Sequence, residues 1–139
     1  MSKFDIFIET LPGIIQTRST NEVKCIIDKF TSIQYPWGIN RRDCCGYTIL
    51  MMVAANDKTG EVIQYQCDKF KKEININIQN DTADTALLFA AERNENLKVI
   101  QCLCDTFKNK INSEKTAFPM FMRAVECNPN NIYVKNLEL

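Results

Sequence analysis

Apolar residues recur at helical spacing in short blocks along the chain, and polar turn residues separate the blocks. Phe4, Phe7, Ile8 and Leu11 share one face, with Ser2 placed to cap it. Ile14 and Ile15 follow Pro12-Gly13. Two short helical pieces are expected there, because a proline ends or restarts a helix. Val23, Ile26, Ile27 and Phe30 mark a further helix behind the cap residues Ser19-Thr20-Asn21. Ile49 to Ala55 behind Thr48, Glu61 to Phe70, Thr85 to Ala91, and Asn96 to Phe107 read the same way. Asn56 to Gly60 and Glu92 to Glu95 are the turns within pairs. Pro119 opens one more helix, and Ile132 to Leu139 begins another and stops.

The blocks repeat. Val99-Ile100-Gln101-Cys102-Leu103-Cys104-Asp105-Thr106-Phe107-Lys108 matches Val62 to Lys71 at seven of ten positions, at an offset of 37 residues. Asn77 to Thr85 aligns with Asn40 to Thr48 at the same offset, with Ala83 where the earlier copy has Gly46. A positive φ is less comfortable for that alanine. Asp28-Lys29-Phe30 echoes Asp68-Lys69-Phe70 and marks an earlier, imperfect copy. A fixed period of this size is the mark of a repeat array, whose units bury their apolar faces only by stacking. The expected units are 1–39 (degenerate), 40–76, 77–111 and 112–139, the last ending mid-helix. Such an end leaves Ile132, Val134 and Leu137 to be covered by more chain, a partner or a second copy.

The pattern Asn-x-x-Asp-x-x-Gly-x-Thr-x-Leu-x-x-x-Ala, a turn, then Val-Ile and a second apolar helix resembles the ankyrin repeat. Thr48, Leu50 and Ala54 carry it in one copy, and Thr85, Leu87, Ala90 and Ala91 in the next. Pro119 and Ala124 are what remains of it in a third. The resemblance implies an all-α solenoid: a curved stack of antiparallel helix pairs with projecting loops or β-hairpin tips. Family members have a histidine after the leucine, which links repeats by hydrogen bonds. Met51, Leu88 and Phe121 stand there in this chain, and Ile49 and Ala86 replace the usual proline. A less regular stack is expected, held by hydrophobic packing without that ladder.

Composition narrows the function. Lys plus Arg and Asp plus Glu are 17 each, so electrostatics favours neither nucleic acid nor an anionic membrane. No run approaches the roughly 18 apolar residues of a membrane span. Asp5 and Glu9 interrupt any signal-peptide core, and seven scattered cysteines without an export signal read as reduced thiols in a cytoplasmic setting. The chain has no histidine, no Cys-x-x-Cys pair and four glycines spread singly. A zinc site, a phosphate-cradling loop and a cofactor are therefore not expected, and neither is an enzyme.

Cys67 and Cys104 share one helix position and read as small core hydrophobes, as does Cys25. Cys44-Cys45 lies in a loop beside Arg41 and Arg42, where cationic neighbours lower a thiol pKa. A thiol-based redox role there is the outlying alternative. The leading expectation is a protein-binding adaptor, scaffold or regulator acting through the concave face and loop tips. On the family pattern its contact residues are Arg42, Cys44, Cys45 and Tyr47 in one copy. In the next they are Gln79, Asp81, Thr82, Asp84, Glu92 and Arg93, with Glu114, Lys115 and Glu126 continuing the row. The basic residues 41 and 42 beside the acidic group 81, 84 and 92 suggest a partner of matched charge. Trp37, in the Tyr35-Pro36-Trp37-Gly38 connector, is a plug for the end of the array or a further contact residue. The alternative is structural: an array that caps another domain or pairs weakly with itself.

Overall fold

The computed structural model describes residues 2–32 and 38–111. These residues form six α-helices and no strand: α1 (Lys3–Thr17), α2 (Thr20–Thr31), α3 (Ile49–Asn56), α4 (Glu61–Phe70), α5 (Ala86–Arg93) and α6 (Leu97–Phe107). The expected third copy and the Trp37 connector lie outside the described residues.

Each helix starts where a side chain satisfies its free amides. Ser2 and Asp5 form a reciprocal capping box on α1, and the Ser19 hydroxyl accepts from the Glu22 amide on α2. Thr48 caps α3 through the Met51 amide, and Thr85 caps α5 through the Leu88 amide. Gly60, at φ 78°, has no side chain to cap α4, and Thr59 and Asp57 accept from its Glu61 and Ile63 amides instead; Asn96 caps α6.

The helices pack in two rows. α1 lies against α3 and α3 against α5; α2 lies against α4 and α4 against α6. Within a pair, the short connection between α3 and α4, and that between α5 and α6, reverses the chain. The core runs between the rows. α3 and α5 are the most deeply set, with Ile49 to Ala54 and Ala86 to Ala91 all buried. From the second row Val62, Ile63 and Cys67, then Val99, Ile100, Leu103 and Phe107, close onto them.

α1 runs unbroken through Pro12, where two helical pieces were expected. An interior proline costs about 3 kcal/mol. Phe4, Phe7, Ile8 and Leu11 are all buried on one face, each worth about 1.5–3 kcal/mol, so burial outweighs the lost hydrogen bond. α5 also continues through Glu92 and Arg93, two residues past its expected end. Arg93 lies 4.8 Å over the Phe89 ring one turn earlier, and Asn94 closes the helix on the Ala90 carbonyl.

Packing is not alone in joining the repeats; asparagine side chains do so too. Asn94 donates to the carbonyls of Ala54 (3.0 Å) and Asp57 (2.8 Å), and Asn96 donates to that of Lys58 (2.7 Å). Within their own units, Asn40 donates to the Glu73 carbonyl and accepts from the Asn75 amide, and its counterpart Asn77 donates to the Lys110 carbonyl. In the second row the Tyr65 hydroxyl and the Lys69 ammonium both donate to Asp28. Hydrophobic packing is thus supplemented by side-chain hydrogen bonds between repeats, supplied by asparagine, tyrosine and lysine.

Candidate functional site: a groove across the first helices

The connections before α3 and α5 are the same turn. The Asp43 amide donates to the Tyr47 carbonyl, and Asp43 Oδ1 accepts from the Cys45 and Tyr47 amides. Thirty-seven residues on, the Asn80 amide donates to the Asp84 carbonyl, and Asn80 Oδ1 accepts from the Thr82 and Asp84 amides. Gly46 and Ala83 hold the same left-handed position, at φ 88° and 65°. The turns stack through a main-chain bond from the Asp81 amide to the Cys45 carbonyl (3.0 Å) and through the Arg42–Asp81 ion pair (3.2 Å). On the α1 side the Asp5 carboxylate accepts from the Cys44 amide at 2.8 Å.

This clamp sets one end of a groove of about 640 Å³ between α1 and α3, closed at the other end by the turn after α3 and the end of α5. Ile8, Pro12, Tyr47, Met52 and Ala55 provide apolar surface along it. Tyr47 is half-buried, its ring 5.8 Å from that of Phe89 in the following repeat. Asp5, Glu9, Asp43, Cys44 and Cys45 also line the groove, as do Gln16, Asn56, Lys58 and Arg93.

The groove has a charge axis. Asp5 touches Cys44 near the start of α1, and Gln16 donates to Asn56 near its end, so α1 and α3 run side by side in the same sense. The turn end of the groove therefore carries Asp5 and Asp43, with Glu9 one helical turn further along. The opposite end carries Lys58 and Arg93, which follow or close α3 and α5. Among the described residues none of these five has an ion-pair partner, whereas Arg18–Glu22, Arg42–Asp81 and Lys69–Asp28 are closed within the chain.

Ligand atoms of Asp5, Asp43 and Cys44 lie within 4.8 Å of one another. Both carboxylates are already engaged by main-chain amides, which makes this group a clamp before it is a metal centre. Hydrogen bonds from Ser2 and the Cys44 amide hold the Asp5 carboxyl below its ordinary range. The Cys44 thiol moves the other way. Its hydrogen bond with Cys45, at a sulfur separation of 3.8 Å, together with partial desolvation and the charges of Asp5 and Asp43, pushes it up to about 11. The expected activation by Arg41 and Arg42 is absent, because Arg41 stacks on Phe4 and Arg42 pairs with Asp81 at 3.2 Å.

Of the residues singled out from sequence, Cys44, Cys45, Tyr47 and Arg93 meet at the groove. Arg42, Gln79, Asp81, Thr82 and Asp84 sit on the two stacked turns instead. Thr82 bonds Asn80 and Asp84, and Gln79 donates to the Ala83 carbonyl. Glu92 is half-buried on α5 and does not line the groove. Trp37, Glu114, Lys115 and Glu126 are outside the described residues. Asp5, Ile8, Glu9 and Met52 were not anticipated. The signal available for the α1 residues was Asp5 and Glu9, one turn apart on the edge of an apolar face.

Among the described residues the remaining thiols belong to packing, with one correction. Cys67 faces Cys102 across α4 and α6, and that contact and burial raise its pKa; burial pushes Cys104 up to about 12. Cys25 is exposed rather than in the core, because two residues from both Val23 and Ile27 places it on the far side of α2.

Comparison with family models, with curated proteins and with solved structures finds no match to this chain. Among the described residues, no helix is long and apolar enough to cross a membrane.

Proposed function

We propose that this chain is a divergent ankyrin-type array acting as a non-catalytic protein-interaction module. Its binding surface is the face formed by α1, α3 and α5, which corresponds to the concave face of such arrays. The observation that carries this reading is the groove itself: an apolar strip bordered by charges that find no ion-pair partner within the described residues. Folding alone gives no reason to keep charges of opposite sign apart along one groove while other pairs close across the surface. Tyr47, braced by Phe89 and half-exposed, has the makings of an anchor, since aromatic residues held rigid at the centre of a patch carry much of interface energy. The raised pKa of Cys44 gives no support to thiol chemistry at the same place.

Site-specific photo-crosslinking in native extract tests the reading. A benzoylphenylalanine in place of Tyr47 is expected to give discrete protein adducts, and the same probe at Gln64, exposed on α4, is not. No adduct at 47, or equal adducts at both positions, would overturn it.

A further inference from the structure

The groove's charge axis identifies the kind of segment it takes. We propose that its occupant is an extended peptide segment with a basic residue at one end, an apolar side chain in the middle and an acidic residue at the other end. This rests on the interaction reading above and adds the chemistry of the partner.

Length comes first. The groove runs along α3, whose eight residues span about 12 Å at 1.5 Å each. An extended chain advances about 3.3 Å per residue, so about four residues fill that span. A helix, advancing about 1.5 Å per residue, would need about eight residues to join the two charged ends, and would turn most of their side chains away from the groove. An extended segment fits.

Charge comes second. At the turn end, Asp5, Glu9 and Asp43 contribute three carboxylates with no cation paired to them among the described residues. Asp5 and Asp43 point oxygens at main-chain amides, so their positions are set by the fold and not by the ligand. A Lys or Arg brought there gains from all three. At the other end Lys58 has no ion pair, and Arg93 rests on the Phe89 ring with its guanidinium available to a carboxylate. A uniformly basic or uniformly acidic segment would satisfy one end and be repelled at the other. Discrimination of this kind works by penalising wrong partners as well as by attracting the right one.

The middle comes third. Ile8, Met52 and Ala55 with the Tyr47 ring give an apolar strip between the two charged ends. Met52 adapts its shape to different apolar side chains, so the central residue is selected as apolar rather than as one exact type.

The test is panning of a random octapeptide library displayed on phage against the full chain and against a double variant, Glu9→Lys with Lys58→Glu. Both positions are exposed, and the melting curve of the variant is expected to overlay that of the parent. The parent is expected to enrich peptides with Lys or Arg about three positions from Asp or Glu, in one chain direction, around an apolar residue. The double variant leaves Asp5 and Asp43 facing one introduced lysine and Arg93 facing one introduced glutamate, so the axis is flattened and the variant is expected to lose the parent's charge-order preference. A synthetic peptide from the parent's selection should bind the single variant Lys58→Glu about tenfold more weakly, as attraction at one end becomes repulsion. Peptides without charge order from the parent, the parent's charge order kept undiminished by the double variant, or no enrichment by the parent would each overturn the proposal. Adducts at position 47 alongside any of these would leave the interaction surface standing and remove only its peptide specificity.

Discussion

Asn94 and Asp57 occupy the same place in successive repeats, and the Asn94 side chain donates to the Asp57 carbonyl at 2.8 Å. Each closes the first helix of its pair, and each is buried. Asp57 uses its carboxylate inside its own repeat, on the amides of Thr59 and Ile63. Asn94 turns one oxygen inward, to the Asn96 amide, and spends its nitrogen on the repeat before. An amide has both a donor and an acceptor, so only an asparagine at this position serves both repeats.

Replacing Asn94 with Ala leaves two carbonyls and an amide without their partner in a dry setting. We expect a loss of about 2–3 kcal/mol, read as a lower urea midpoint with unchanged slope. Asn94→Asp should be no better, since the carboxylate presents no donor to Ala54 and Asp57.

Gln66 is fully buried on α4, and among the described residues neither carboxamide atom has a hydrogen-bond partner. The following repeat has Leu103 at this position, fully buried. Gln66→Leu should therefore stabilise the fold by about 1–3 kcal/mol, visible as a higher melting temperature. A lower one would mean that the carboxamide has a partner in solution.

Gly46 and Ala83 share a left-handed backbone, and exchange should work in opposite directions. Ala83→Gly relieves the strain and is expected to stabilise by about 0.5–1 kcal/mol. Gly46→Ala adds a Cβ at 2.7 Å from the Asn80 Cα and 2.9 Å from the Asp81 nitrogen, on top of the same strain. Its expected cost is about 2–3 kcal/mol, with the stacked turns pushed apart. Chemical denaturation of both variants decides the matter.

With its pKa near 11, Cys44 carries far less thiolate at pH 8 than a free cysteine. Alkylation resolved by peptide mass spectrometry should label it about ten- to a hundredfold more slowly than free cysteine. Asp5→Asn removes one of the charges responsible and should speed the reaction. Labelling of Cys44 at the free-cysteine rate would contradict the clamp.

Asp5 has a folded-state pKa below its unfolded value of 3.8. Its contribution is therefore full above that value and is lost as pH falls through the folded pKa. Unfolding midpoints followed downward from pH 5 should drop less steeply for Asp5→Asn than for the parent.

Much of the fold was legible because it is local. Thr48 and Thr85 announce α3 and α5 by cap chemistry that acts within one turn, and the apolar positions on each helix need only the helical period. Pro12 misled for the converse reason: its cost is local, and the burial that outweighs it is not. Cys25 was misplaced for want of one step of helix geometry. The candidate site was half legible. Tyr47 and Arg93 follow from the repeat register, but Asp5 and Glu9 belong to a helix with no clear repeat match.

The sequence by itself determined the helices, their caps, the 37-residue offset and the residues that meet the core, since each depends on neighbours a few positions away. Tertiary structure alone decided that Asn94 serves the preceding repeat, that Arg42 is consumed by Asp81, and that Asp5 clamps the Cys44 amide. Those outcomes join atoms 37 to 40 residues apart in the chain. No local preference encodes them. They arise once burial has stacked the helices and brought unsatisfied polar groups within reach of one another.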